Sequence, residues 1–262
     1  MTVIFAKTRH SYDSYSDFWR LVELSGYETC WVDEIDPDKF AVYIFTPNNG
    51  EMGPILDRCI SRRAIIIWWF LERLDGTPIL TDGSIDRMIQ RVDEIWVSDR
   101  WTATRHPSFR YVCLASHPGF GNDPLPTQFD FTHQSYVWGR RSPIVEGLKL
   151  SGLIEGPNAW GEDRDRILRS SKVMLNVQQY EAPVYAPLRF AIAAAYSLPI
   201  VSESIQDPYP LDDGSIVHVP YQGLISATVD LIRSPDRQVR GEALFQELCV
   251  RRTFRSEIDA AL

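Results

Sequence analysis

The sequence predicts an α/β protein of two Rossmann-like domains, and three observations carry that expectation. Short apolar runs alternate with helical segments at α/β spacing through residue 114, the pattern of a parallel sheet with helices on both faces. A Gly/Pro-rich stretch then interrupts the alternation from Ala115 to Phe131, as a linker between domains does. Beyond it lies a strand-loop-helix-strand unit, Ser171 to Glu203.

In chain order, the expected strands of the first domain are Val3 to Ala6, Glu28 to Val32, Phe40 to Thr46, Ala64 to Trp69, Glu94 to Ser98 and Phe109 to Leu114. The fourth is apolar almost throughout, as a strand buried on both faces must be. Helices are expected from Ser14 or Ser16 to Leu24, with Gly26 as the stop, from about Glu51 to Ile60, from Ser84 to Arg91, and from Arg100 to Thr104. Lys7 to Ser14 forms the loop after the first strand and holds His10 and Asp13. Glu51 either acts as a base or complements a helix dipole, and Glu72 and Arg73 either line a site or pair with each other.

The second domain is expected to start with a strand at Gln134 to Trp138. Gly139-Arg140-Arg141-Ser142-Pro143 then opens a helix, with Ser142 as cap and Pro143 at the first helical position. A further helix covers Glu162 to Arg169. Val173 to Val177 is too short and apolar for anything but a central strand. The loop after it carries Gln178, Gln179, Tyr180, Glu181 and Tyr185, and Arg189 stands in the first turn of the Ala-rich helix that follows. That is where open α/β sheets bind ligands and where helix N–H groups favour an anion, so a phosphate or diphosphate suits it. His218 to Pro220 is the last strand, and Leu224 to Ile232 and Gln238 to Leu262 are helical, with Gly241 and Arg251-Arg252 as weak points.

Composition limits the function classes. The 262 residues, 44% hydrophobic and 12% aromatic, suffice for one large or two small globular domains. A net charge of -8, from 27 basic and 35 acidic side chains, argues against a broad grip on duplex nucleic acid while leaving room for a local basic groove. Cys30, Cys59, Cys113 and Cys249 are widely spaced, as reduced core residues of a cytoplasmic protein are. The N-terminus has no signal pattern, and the longest apolar run, Ala64 to Leu71, is too short to span a bilayer. Gly119-Phe120-Gly121 lacks the third glycine of a dinucleotide fingerprint, and no P-loop, H-E-x-x-H or G-x-S-x-G occurs. Asp163-Arg164-Asp165 and Asp36-Pro37-Asp38 have the D-x-D spacing but lie in a helix and a turn, so no catalytic metal is expected.

Leu175-Asn176, Arg189, the alanines between Ala191 and Ala195, and Ser202-Glu203 together resemble the donor-binding half of GT-B glycosyltransferases, in the family 1-like and CgeB-like branch. The resemblance implies two Rossmann-like domains facing a cleft: an acceptor domain over 1–115, a linker over 116–131, and a donor domain over 132–262 whose terminal helices pack back on the first. It implies metal-independent transfer of a sugar from a nucleotide-sugar, a co-substrate and not a resident cofactor, to an acceptor hydroxyl on a protein, a glycan or a modified nucleic-acid base. Arg141, with Arg140 as its rival, and Arg189 are then the diphosphate contacts, and Gln178, Tyr180, Glu181 and Glu203 shape the donor pocket. His10, Asp13 and His117 are the candidate bases; an ordinary solvated loop and a structural linker histidine are the alternatives. Two departures stand out: Ala191 where relatives often carry Glu, and Tyr196-Ser197-Leu198 where they carry Gly before the strand. A binding or structural protein that has lost catalysis, or a sugar-nucleotide epimerase, are the competing readings.

Overall fold

The computed structural model describes residues 1–9, 15–46, 63–71, 89–121, 123–179, 181, 186–211 and 213–262. It divides into two compact units, Met1–Cys113 with Ala261, and Leu114–Ala260 with Leu262.

The first unit is a six-stranded, wholly parallel sheet. Its strands are β1 (Thr2–Lys7), β2 (Glu28–Trp31), β3 (Ala41–Phe45), β4 (Ile65–Phe70), β5 (Glu94–Val97) and β6 (Phe109–Tyr111), in the order β2-β1-β3-β4-β5-β6. Helix α1 (Ser16–Leu24) follows β1, and the short α2 (Arg100–Arg105) follows β5 and is capped by Asp99, whose carboxylate accepts from the Trp101 and Thr102 amides. Successive residues of β3 and β4 are buried on both faces, which explains why these strands read as continuous apolar runs. Phe5, Phe18, Trp19, Trp69 and Trp96 pack on one side, where the Trp69 indole donates to the Ser98 hydroxyl at 2.8 Å, so this large buried ring keeps its polar atom bonded. The expected helix after β3, the one after β4 as far as residue 88, and Glu51, Cys59, Glu72 and Arg73 lie outside the described residues.

The second unit holds a five-stranded parallel sheet. Its strands are β7 (Phe129–Thr132), β8 (Glu155–Gly156), β9 (Ser171–Asn176), β10 (Ile200–Glu203) and β11 (Ile216–Val219), ordered β11-β10-β9-β7-β8. The helices are α3 (Arg141–Leu150), α4 (Gly161–Arg169), α5 (Pro187–Ala195), α6 (Leu224–Arg233), α7 (Arg237–Phe245) and α8 (Phe254–Ala261), with a π-helical turn at Gln246–Arg251 between the last two. Both sheets thus repeat one topology, in which the chain steps outward from its first strand and then returns across it. Side chains of Phe131, Val173, Leu175, Val177 and Val201 point to the face covered by α3 and α6.

Two expectations need correction here. The first strand of this sheet is Phe129–Thr132, overlapping the end of the segment expected as linker, and Gln134 to Trp138 is not a strand but part of the loop that follows. Tyr136, Val137 and Trp138 are strand-forming side chains, yet Gln134 has φ +44°, which breaks the extended path, and all three of those side chains are exposed. Helix α3 also begins earlier than expected: Arg141 is its first residue, Ser142 lies inside it, and no side chain caps it. The edge strand β8 was not foreseen, its two residues being too few to give a pattern.

Helix α5 is buried on nearly every side, with Phe190, Ala191, Ala193 and Ala194 at 0% exposure. Its alanines let neighbouring backbone come close, and two glycines complete the fit. A Cβ on Gly121 would stand 1.9 Å from the Ala195 carbonyl oxygen, and one on Gly241 in α7 would stand 1.9 Å from that of Ser197. Gly241 is therefore a packing requirement of α7 and not merely a weak point. At the start of the unit, the Ser116 amide donates to the Leu248 carbonyl (2.7 Å) and the Phe254 amide to the Ser116 carbonyl (2.8 Å), which ties the segment before β7 to the C-terminal helices. Gly241→Ala is expected to destabilise the protein by about 1–3 kcal/mol, as overpacking does, read as a drop of roughly 2–4 °C in melting temperature per kcal/mol.

Candidate functional site

In a sheet of this order, the loops after β7 and β9 leave in opposite directions, opening a crevice at the C-terminal ends of the strands. Helices α3 and α5 start from these loops, and neither has a side-chain cap. At α3 the Arg141 and Ser142 amides donate to the Trp138 and Gly139 carbonyls and Pro143 has no N–H, so of the two it is the α5 N-terminus that suits an anion.

Six of the residues singled out in the sequence are joined here by hydrogen bonds. Asn176, the last residue of β9 and fully buried, accepts from Arg189 Nη1 through Oδ1 at 2.7 Å and donates from Nδ2 to Ser202 Oγ at 2.9 Å. Ser202 is the register partner of Asn176 on β10, so the two side chains share a face, and the Ser202 hydroxyl donates onward to the Glu203 carbonyl at 2.8 Å. Glu203 points to the other face. There its carboxylate makes a two-point contact with Arg140, at 2.7 and 3.1 Å, and accepts from the Gln178 amide at 3.1 Å. The Glu203 hydrogen bond holds the Arg140 guanidinium above its ordinary pKa, and exposed Glu181 contributes in the same direction.

Arg141 is 5% exposed, and its guanidinium joins the two strand-end loops: Nε donates to the Val177 carbonyl at 3.0 Å and Nη1 to that of Tyr136 at 3.3 Å. Gln178 is buried beside it at 8% exposure. His117 accepts from the Gly119 amide through Nδ1 at 3.0 Å, which builds a turn in the segment leading to β7. His10, Asp13 and Tyr180 lie outside the described residues. The structure therefore brings Arg140, Arg141, Gln178, Arg189 and Glu203 to one edge of the second sheet.

The sequence reading missed the loop after β7. His133 is 2% exposed, with Nε2 2.7 Å from Glu155 Oε1 and Nδ1 3.3 Å from Ser135 Oγ. Burial lowers its pKa despite the opposing pull of Glu155, and the charges of Arg189 and Arg141 lower it further. The ring is thus neutral at pH 7, so Nε2–H donates to the carboxylate and Nδ1 accepts the Ser135 hydroxyl. Burial pushes the Glu155 carboxyl up, but hydrogen bonds from Lys149 and His133 outweigh it and hold that pKa below its ordinary value. Gln134, in the left-handed region, is pinned through Nε2 to Thr132 Oγ1 (2.7 Å) and the Pro157 carbonyl (3.2 Å). Strained backbone of this kind costs about 1–3 kcal/mol and persists only where side chains over-determine it. The local cue was His133-Gln134 immediately after Phe129-Asp130-Phe131-Thr132; the partners at 155 and 157 are set by the β7–β8 register.

Among the described residues, no group of three or more His, Cys, Asp or Glu side chains is arranged to hold a metal ion, and no helix is long and apolar enough to cross a membrane.

No family model matches the chain, and no curated protein matches it in sequence. Solved structures do match in shape. HepE of Anabaena, solved in complex with UDP and glucose, superposes over 100% of this chain and 99% of its own, with a TM-score of 0.65 at 9% identity. The two share a fold. The two parallel sheets flanked by helices that the GT-B resemblance implies are the observed architecture. The glycotransferase of kitacinnamycin matches over 99% and 98% of the two chains at 12% identity, but its TM-score of 0.49 is too low to bear on the fold.

On β11, His218 is the register partner of Ser202, and neither of its ring nitrogens has a hydrogen-bond partner among the described residues. Burial lowers its pKa. An unfolded histidine takes up its proton near pH 6.5, the folded one only at lower pH, so the stabilising contribution is complete above about 6.5 and is lost as the pH falls through the folded value. Urea midpoints measured from pH 7.5 to 5 are expected to fall less steeply for His218→Leu than for the wild type; an identical slope would refute this assignment.

Proposed function

We propose that the second unit binds a nucleotide-sugar through its diphosphate and that the protein is a glycosyltransferase acting without a metal. The observation that carries this reading is the placement of Arg189. It stands in the first turn of an uncapped helix, at the crevice beside the central strand, with its guanidinium oriented by Asn176. A cation and a helix N-terminus acting together stabilise a leaving diphosphate, the task that a divalent ion performs elsewhere. The fold shared with HepE, a protein solved with UDP and glucose, supports the same ligand class.

In this reading the bond between the sugar C1 and the diphosphate oxygen breaks as the acceptor oxygen bonds to C1. The electron pair leaves on the diphosphate, facing Arg189, with the buried charge of Arg141 behind it. Gln178, Tyr180 and Glu181 line the nucleoside and sugar pocket, Glu203 shapes it through its hold on Gln178, and the acceptor proton goes to a base, for which His10, Asp13 and His117 are the candidates. The transferred sugar is a hexose or pentose, and the acceptor a protein, a glycan or a modified nucleic-acid base.

Ala191 favours a second reading, a GT-B-shaped binding protein without turnover. Position 191 is fully buried in an apolar helix, so this chain presents no carboxylate where relatives often do. Product analysis separates the two, since transfer to an acceptor requires the enzyme and binding without turnover requires the module.

Thermal shift against a panel of nucleoside diphosphates and sugar nucleotides, with and without magnesium, tests the donor site. A ligand at a hundred times its dissociation constant adds about 2.7 kcal/mol, a rise of roughly 2–4 °C per kcal/mol. The expected result is a magnesium-independent shift with one base. Arg189→Ala is expected to weaken that ligand by about 1.5–3 kcal/mol, the contribution of a charged hydrogen bond; unchanged affinity would remove Arg189 from the site.

A further inference from the structure

The end of β9 is finished by side chains instead of by a neighbouring strand. Past Asn176 the ladder to β10 stops, and side chains take three of the next backbone groups: the Val177 carbonyl by Arg141 Nε, the Gln178 amide by Glu203 Oε2 at 3.1 Å, and the Gln178 carbonyl by Arg140 Nη1 at 3.4 Å. Arg140 and Glu203, which are 63 residues apart, thereby grip the Gln178 residue from both sides while bonding each other at 2.7 and 3.1 Å. Arg140 is itself held at both ends. The Tyr221 ring lies 4.4 Å from its guanidinium carbon, and the Tyr221 hydroxyl donates to its carbonyl at 2.7 Å. One guanidinium therefore links the start of α3 to the chain just beyond β9, the end of β10 and the turn after β11.

We propose that Arg140 and Glu203 are positioning residues acting as a single clamp on Gln178, with Tyr221 fixing the clamp, and that they do not themselves contact the ligand. The inference rests on the nucleoside diphosphate reading of this site, whose binding they support through the shape of the Gln178-Gln179 loop. Two features favour a clamp over a direct phosphate contact. The guanidinium is neutralised by a two-point carboxylate, a charge-assisted geometry stronger than an ordinary hydrogen bond. Both side chains are also largely covered, at 22% and 13% exposure.

The alternative makes opposite predictions. If Arg140 took the phosphate directly, Glu203 would be a competitor that the ligand must displace, and its removal would tighten binding. Calorimetric titration with inorganic pyrophosphate of the wild type, Arg140→Ala, Glu203→Ala and the double variant distinguishes them. For a clamp, each single change weakens binding by about tenfold, and the double change weakens it no more than either single one, the non-additivity of residues that work as a unit. Tighter binding by Glu203→Ala, or additive losses, would overturn the proposal. Glu203→Gln, which keeps the volume and one acceptor oxygen, substitutes where an alanine variant fails to fold; a smaller loss than tenfold is expected of it, and a gain would again refute the clamp. Hydrogen exchange at the Gln178 amide supplies a readout without ligand. It is expected to accelerate in every variant, and unchanged exchange would overturn the clamp. Failure of the wild type to bind pyrophosphate or any nucleoside diphosphate would instead refute the binding reading, with the exchange data still deciding the clamp.

Discussion

A parallel sheet sends every strand's C-terminus to one edge, and every helix that follows begins at that edge with amide groups that have no partner within the helix. Much of the second unit is organised by this constraint. Because β7 lies between β8 and β9, its loop and that of β9 diverge, and the gap between them must be held by something other than backbone ladders. Side chains do this: Arg141 spans the two loops, Arg140 reaches from the start of α3 to Glu203, and Asn176 joins Arg189 to Ser202. Arginine suits the task because its planar fork makes several bonds in fixed directions.

The same edge has its two faces differently occupied. On the α3 and α6 side, Arg140, Glu203, Gln178 and Tyr221 form a network whose charges compensate. On the α5 side, Asn176 and Ser202 form a buried polar row that ends at Arg189. Alternation along β10 separates the two: Ser202 and Glu203 are neighbours in sequence and face opposite ways. A two-residue motif thus supplies one anchor to each side of the crevice.

Small residues set how closely these parts approach. The alanines of α5 and the glycines at 121 and 241 let backbone stand against backbone around the helix whose N-terminus faces the crevice. Ala191 belongs to this packing, so its lack of a carboxylate is continuous with the requirements of the core. On the other side of β7, the left-handed turn at Gln134 and the neutral His133 hold the first loop in place through contacts to 155, 157 and 159.

The sequence by itself determined the fold class, the central strand-helix-strand unit and the place of Arg189 in the first turn of its helix, because an apolar run, an Ala-rich helix and a first-turn arginine are local patterns with local causes. It misplaced the first strand of the second sheet: Phe129–Thr132 is short and sits behind prolines, while Tyr136-Val137-Trp138 carries strand-forming side chains in a loop. Only the tertiary structure decided which side chains meet. Arg140 and Glu203 are 63 positions apart and His133 and Glu155 are 22 apart, distances closed by strand order and register. A sequence states what each residue can bond, but the partner at that distance is chosen by the sheet, since hydrogen bonds need contact and contact is set by packing.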